Sequence, residues 1–282
     1  MLFRSEDETQ AEWIRQRLAP LAGGSTSEHK LEQGELFSAW LRFFAAMAQQ
    51  HVLVLVVEDI HWADDALLDF LEHLAEWAVD VPILLVAAAR PELLSNRSDW
   101  GGGIRNAATI TLSPLANTEA AQLLAALLER AVLPVESQQT ILEQAGGNPL
   151  YVTEFVRLAE ESDLLDDAGR IGELGLPDSV QAIIGARLDL LGSEEKELLQ
   201  AAAVVGKVFW SGAVAALRPT AHSRDALREL MRRELIRPIR DPSMHGQEEY
   251  AFVHALVRDV AYGRLARDDR AHLHQTTAGW ME

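Results

Sequence analysis

The sequence contains no cysteine, which excludes disulfides, zinc thiolate centres and thiol nucleophiles. Lysine is almost as scarce: 282 residues hold three, Lys30, Lys196 and Lys207. Bases as a whole are outnumbered, 25 Lys and Arg against 43 Asp and Glu, so the formal charge is −18 at pH 7. A net field of that sign favours solubility and opposes nonspecific binding to nucleic-acid backbones or anionic membranes. Long apolar runs are missing too. No stretch reaches the roughly 18 apolar residues of a spanning helix, and the first residues, "MLFRSEDETQAEW", lack the apolar centre of a signal peptide. The expectation is a cytoplasmic protein. The nine histidines show no H-E-x-x-H spacing, and no G-x-S-x-G elbow supports a hydrolase triad. His51 and His73 read as structural or solvent-facing.

What is present is 48% apolar side chains, enough for two modest domains or one large one. Residues 11–22 and 34–50 carry apolar positions at helical spacing, and in the second Leu36, Trp40, Phe43, Phe44 and Met47 share a face. Residues 52–57 are continuously apolar and mostly β-branched, the habit of a parallel strand covered on both faces. Asp64 can cap a helix over 65–79, and "VPILLVAAAR" (81–90) predicts a second strand, completing a βαβ unit. "NAATITLSPL" (106–115) predicts a third. From Asn117 the pattern turns helical through "TEAAQLLAALLERA", "ESQQTILEQAGG" and "PLYVTEFVRLAEES", with Pro149 in a first turn. The acidic, glycine-containing 163–175 predicts a linker. Helices follow near 178–191, 194–205, 210–217 and 223–234, and "LIRPIRDPSMHGQEEYAFVH" predicts two short strands around a turn. Helices near 254–266 and from 268 close the chain. Three helices before a hairpin is the order of a winged helix.

The chemistry concentrates where the first strand ends. "HVLVLVVEDIHWADD" runs six apolar residues into Glu58 and Asp59, and in open α/β sheets ligands bind beyond the carboxyl ends of strands. One acid there can support Mg²⁺, and its neighbour can orient a water for attack on a phosphate. The plainer reading is that the pair caps the next helix or solvates a loop. Arg90 ends the second strand in the parallel position, where a guanidinium could meet a γ-phosphate; an arginine before a proline is also ordinary surface. The glycine-rich loop G-x-x-x-x-G-K-[ST] that would complete such a site is absent. Lys207, in "VVGKVFW", has the Gly-Lys pair without the first glycine or the hydroxyl residue. His254, at the junction of "YAFVH" with "ALVRDVAYGRL", is by itself a histidine of the kind usually satisfied locally.

"VLVLVVEDIHWADDALLDFLEHLAE", "PILLVAAARPELL", "AGGNPLYVTEFV" and "EYAFVHALVRDVAYGRL" occur in one order from about residue 34 onward. Together they resemble the STAND class of P-loop NTPases, the signal-transducing ATPases with numerous domains. The nearest branch is the bacterial AAA-like module beside adenylate/guanylate cyclase or LuxR-type DNA-binding domains. The resemblance implies an α/β region followed by an all-α one: a partial P-loop NTPase parallel sheet over 1–115, a helical lid over 116–172, a winged-helix-like domain over 173–267, and from 268–282 the start of a C-terminal helical region. It implies ATP/ADP and Mg²⁺ as ligands of a full-length parent. In it Glu58 resembles the Walker B acid that supports Mg²⁺, Asp59 the adjoining acid linked to hydrolysis, and Arg90 the sensor. Asn148 and Pro149, in "GGNP", resemble the adenine-side turn. His254 matches the histidine of the "MHD" motif of related plant resistance ATPases, with Ala255 in place of its acid.

The expectation that follows is a regulatory ATPase portion lacking its phosphate loop, whose partners are that missing segment and C-terminal helical repeats, with oligomerisation possible in principle. Two alternatives stand beside it. One is a nucleotide-independent interaction scaffold. The other is a winged-helix DNA-binding regulator using "SRDALRELMRREL" with Arg232, Arg233, Arg237 and Arg240 on phosphates.

Overall fold

A computed structural model of the chain describes residues 2–19, 33–78, 80–128, 133–162, 177–219 and 223–281. Residues 20–32 and the segment expected to be a linker, 163–175, lie outside them. The chain divides into two compact units, Met1–Thr111 and Leu112–Glu282.

The first unit contains α1 (Leu2–Leu18), α2 (Gln33–Ala48), β1 (Leu53–Val57), α3 (Asp65–Trp77), β2 (Ile83–Ala87) and α4 (Glu92–Asn96). Asp64 caps α3 as its position suggests, its carboxylate accepting from the Leu67 N–H at 2.8 Å. β1 and β2 pair in parallel, Leu53 opposite Ile83 through Val57 opposite Ala87. Alternate side chains leave a strand on opposite faces, so the pair has two apolar faces. On one, Val57, Leu85 and Ala87 pack on a small core of Ile60, Leu68, Leu71 and Leu93, which includes the inner stripe of α3. The ring of Phe70 on α3 meets Phe37 and Phe44 of α2, so both helices lie on that face. On the other face Val54, Val56, Leu84 and Val86 are exposed.

The third strand expected at 106–115 is not formed. Residues 107–116 belong to no helix or strand, and Ile110 and Leu112 stand in solvent. The physical reason is pairing: a strand needs a neighbour's N–H and C=O groups, and the sheet formed here by the described residues has two strands. "NAATITL" has the composition of a strand, but among the described residues it pairs with no neighbour.

The second unit contains α5 (Asn117–Leu128), α6 (Val135–Ala145), α7 (Pro149–Glu161), α8 (Val180–Asp189), α9 (Ser193–Val205), β3 (Val208–Trp210), α10 (Ser211–Leu217), α11 (Arg224–Arg232), β4 (Ile236–Pro238), β5 (Glu249–Phe252), α12 (Ala255–Gly263) and α13 (Arg267–Met281). Asn148, Ser179 and Ser223 cap α7, α8 and α11 through side-chain oxygens. The expected hairpin is present as β4 and β5, antiparallel, and β3 adds to β5 on its other side, giving the order β3-β5-β4. β3 has three residues, too short for a periodic signal, and sits in "VFW", where a helix was expected to begin. One continuous core runs from Leu124 on α5 through Phe155 on α7, Ile184 on α8 and Leu198 on α9 to Phe252 and Leu273.

A charged network with a sealed centre runs from the interior of this unit to its surface. Glu154 of α7 is fully buried and its carboxylate meets the equally buried Arg187 of α8. Arg187 also donates to Glu161 and to the Arg233 carbonyl, each at 2.6 Å, and Arg157 bridges Glu154 and Glu234. Burial opposes the charge of Arg187, but Glu161 and Glu154 outweigh it and raise its pKa.

Candidate functional site

The carboxyl ends of β1 and β2 are tied together by the backbone. The Ala88 N–H donates to the Val57 carbonyl at 2.9 Å, and the Ile60 N–H donates to the Ala88 carbonyl at 3.1 Å. These two bonds set Glu58 and Asp59 beside the segment that leads from Ala88 to Arg90. All three functional candidates are solvent-exposed. The chain turns at Asp59, which adopts a left-handed conformation, φ 57° and ψ 31°, and a single 3-10 turn of Ile60–Trp62 follows. A non-glycine residue in that region costs energy that the surroundings must supply, and such positions cluster at ligand sites. Here Ile60, 2% exposed, anchors the turn in the small core, and the Trp62 N–H donates to the Asp59 carbonyl at 2.9 Å.

The structure thus brings Glu58, Asp59 and Arg90 to one end of the parallel pair and separates them from Asp64, which is used as a cap. Two exposed carboxylates are hard oxygen donors, suited to a hydrated Mg²⁺ whose other positions are filled by water and phosphate. They do not form a closed cage, and among the described residues no group of three or more acids and histidines is placed to hold an ion.

Two neighbours escaped the sequence reading. Both ring nitrogens of His61 are buried without a hydrogen-bond partner among the described residues, a costly arrangement for an imidazole. Trp62, three residues after Asp59, is 79% exposed. The signal available in sequence was their place in "EDIHWAD", but burial and exposure cannot be told apart within so short a turn.

In the second unit Gly146 ends α6 in the left-handed conformation, and Gly147 follows at φ 76°. A Cβ on Gly147 would lie 2.4 Å from the Leu115 carbonyl oxygen, so only glycine fits. The Asn148 side chain then accepts from the Leu150 N–H at 3.0 Å, and Pro149 opens α7. His254 occupies the N-cap position of α12 without a side-chain cap bond; its carbonyl accepts from the Val257 N–H at 3.0 Å, and Ala255 is the first residue of the helix. Of the four arginines suggested for DNA phosphates, Arg232 is paired with Glu229, and Arg233 with Glu229 and Glu161. The hydrogen bonds of Arg232 and Arg233 hold the Glu229 carboxyl down to about 2. Those two guanidiniums are engaged in ion pairs within the chain, Arg233 mostly buried and Arg232 at the surface.

No family model matches the chain. It is 29% identical over 265 residues to an uncharacterized protein of Rhizobium meliloti, covering 89% of this chain and 24% of that one. Among solved structures it is similar to a signal transduction ATPase with numerous domains, a protein with a tetratricopeptide repeat sensor from Pyrococcus horikoshii, at 16% identity and a TM-score of 0.57. That likeness covers 95% of this chain and 34% of the other. The chain therefore spans about a quarter to a third of the length of the proteins it matches. Among the described residues no helix is long and apolar enough to cross a membrane. What the comparison establishes is the fold: a mostly helical chain with a small parallel sheet, similar to that of a STAND protein.

Proposed function

We propose that the chain is the Walker B, lid and winged-helix portion of a STAND-type regulatory ATPase, a protein that converts ATP binding into rearrangement of its domains. The observation that carries this is the pair of adjacent parallel strands ending in Glu58–Asp59 on one side and Arg90 on the other, held together by the bonds between Val57, Ala88 and Ile60. In this reading Glu58 supports Mg²⁺, Asp59 orients the attacking water, and Arg90 meets the γ-phosphate. Bound Mg²⁺ supplies charge neutralisation between the phosphates, and the residues named supply position. Asn148 and Pro149 take the adenine side, and His254 takes the diphosphate of the resting state.

The backbone N–H cradle and lysine that give most of the phosphate affinity are absent from the sequence. The proposal is therefore that these 282 residues by themselves bind ATP poorly and do not hydrolyse it, and that the missing groups come from other polypeptide of a longer parent. The test is ATP hydrolysis by the chain extended upstream along its reading frame. Asp59→Asn is expected to abolish turnover while retaining ATP binding, and Arg90→Ala to slow turnover about 100-fold or more, the scale of losing one charge-stabilising group. Unchanged turnover in Asp59→Asn would favour a nucleotide-independent scaffold instead.

A further inference from the structure

We infer that the charge network of the second unit is a positioning device: through Glu154, Arg157, Arg187 and Glu234 it holds the Asn148–Pro149 turn and His254 at one fixed spacing, so that a single nucleoside diphosphate can meet both. The inference rests on the reading above and adds which residues, themselves out of the nucleotide's reach, decide how tightly that diphosphate is kept.

The first observation is the route the bonds take. Pro149 opens α7, and Glu154, Arg157 and Glu161 follow on one face of that helix, at i, i+3 and i+7. Arg187 of α8 meets Glu154 and Glu161 and donates onward to the Arg233 carbonyl at 2.6 Å. Arg157 donates to Glu154 at 2.8 Å and pairs with Glu234. Both lines from α7 therefore end on the turn of residues 233–235 that follows α11. From that turn the Leu235 carbonyl accepts from the Val253 N–H at 3.1 Å, and Val253 is the residue before His254. Ile236 pairs with Phe252 next to it, which ties the turn to the end of β5. A continuous set of bonds thus joins the helix that Asn148 caps to the strand that His254 ends.

The second observation is that charge is a poor choice for merely sealing such a core. Glu154 and Arg187 are 0% and 1% exposed, and apolar residues of similar volume stabilise a buried position as well as an ion pair or better. What the pair adds is direction. The planar guanidinium of Arg187 meets two carboxylates and a carbonyl in a fixed orientation, so a slip of α7 along α8 that an apolar contact would tolerate breaks its bonds.

The third observation is Glu234. It stands at φ 53° directly after α11, where its N–H bonds back to the Met231 carbonyl and the Leu235 N–H to the Leu230 carbonyl. Glycine takes that conformation freely and glutamate does not. What glutamate supplies there is a carboxylate, and that carboxylate is paired with Arg157 of α7. Backbone strain is carried at the point where α7 is tied to the turn.

Two double variants break the device without emptying it. Glu154→Leu with Arg187→Met removes the directional bonds and fills the same space, and Arg157→Met with Glu234→Gly removes the outer tie together with the strain; both should keep the parent's circular dichroism. Because the chain has no cysteine, Glu143→Cys and Asp259→Cys, at exposed positions of α6 and α12, take up a unique pair of spin labels. Double electron–electron resonance on the 282 residues without nucleotide should give one narrow distance in the parent and additional distances in either variant. The second readout is nucleotide affinity in the chain extended upstream along its reading frame. There each variant should bind ADP about tenfold more weakly and ATP within about twofold of the parent. His254→Ala should weaken ADP binding in the parent and add nothing further in the variants, because groups that act as one are non-additive. Equal distance distributions in parent and variants, or ADP losses that simply add, would overturn the inference. An extended parent that binds neither nucleotide, in a chain whose single distance is still lost in the variants, would sink the nucleotide reading and leave the fixed spacing standing.

Discussion

The two units handle their sheets in opposite ways. In the second, all four residues of β5 are buried, and Phe209 of β3 stacks on Tyr250 and packs on Phe252. In the first, β1 alternates half-buried and exposed residues, and the exposed ones are valines. Every residue of β1 and β2 is apolar, whereas the covered sheet of the second unit carries Glu249 and Arg237 as well. The difference lies in how each sheet is covered, and it teaches that the more apolar sheet is the less buried one and that the candidate residues Glu58, Asp59 and Arg90 lie at its end.

The widest test of that contrast is truncation in each sheet. Phe252→Ala, in the closed core, is expected to cost about 3–5 kcal/mol in chemical denaturation, whereas Val56→Ala should fall within about 0.5 kcal/mol of the parent. Comparable losses would mean that β1 is covered after all. Next comes the sealed centre of the charge network. Glu154→Ala leaves Arg187 buried with a partner removed and should cost about 3 kcal/mol or more, while replacing both, Glu154→Leu with Arg187→Met, should recover most of it. Additive losses in that double mutant would show that the network contributes packing rather than paired charge.

A smaller effect follows from acid. Glu229 titrates in the second unit at about 2 against an ordinary 4.5, because the hydrogen bonds of Arg232 and Arg233 favour its ionised form. A depressed folded-state pKa contributes stability that is complete above the unfolded value and is lost as pH falls from about 4.5 toward 2. Asp189 has the same sign, lowered first by its hydrogen bond from Arg264. The Glu229→Gln variant should therefore show a shallower loss of second-unit stability over that window; an unchanged acid slope would contradict the pairing. The smallest effect concerns the turn. Asp59→Gly relieves a left-handed backbone and should match or exceed the parent's stability by up to about 1 kcal/mol, whereas Asp59→Val should lose about 1–2 kcal/mol.

The contrast also marks how far the sequence could be read. The periodicity of α2 and α3, the cap at Asp64, the apolar run of β1 and the hairpin of β4 and β5 were legible because each is set by residues within one turn or one strand. The alternation of "TITL" predicts a strand at 106–115 that does not form, because a strand is a property of two paired segments and among the described residues none pairs with this one. β3 went unseen for the converse reason: three residues carry no period, and they are a strand because β5 lies beside them. At the site, Glu58, Asp59 and Arg90 could be marked by their place after apolar runs. The left-handed turn at Asp59 and the buried ring of His61 come from the packing of Ile60, which no local pattern announces.

The central claim is that the first unit holds half of a nucleotide site. It is tested most directly by isothermal titration of MgATP into the 282-residue chain and into the chain extended upstream. The account predicts no saturable binding to the former below the millimolar range and binding at least 100-fold tighter to the latter, on the order of the affinity that a phosphate cradle and its lysine supply. Equal affinity in the two forms, or an extended chain that takes up no ATP with Glu58 and Asp59 intact, would contradict it.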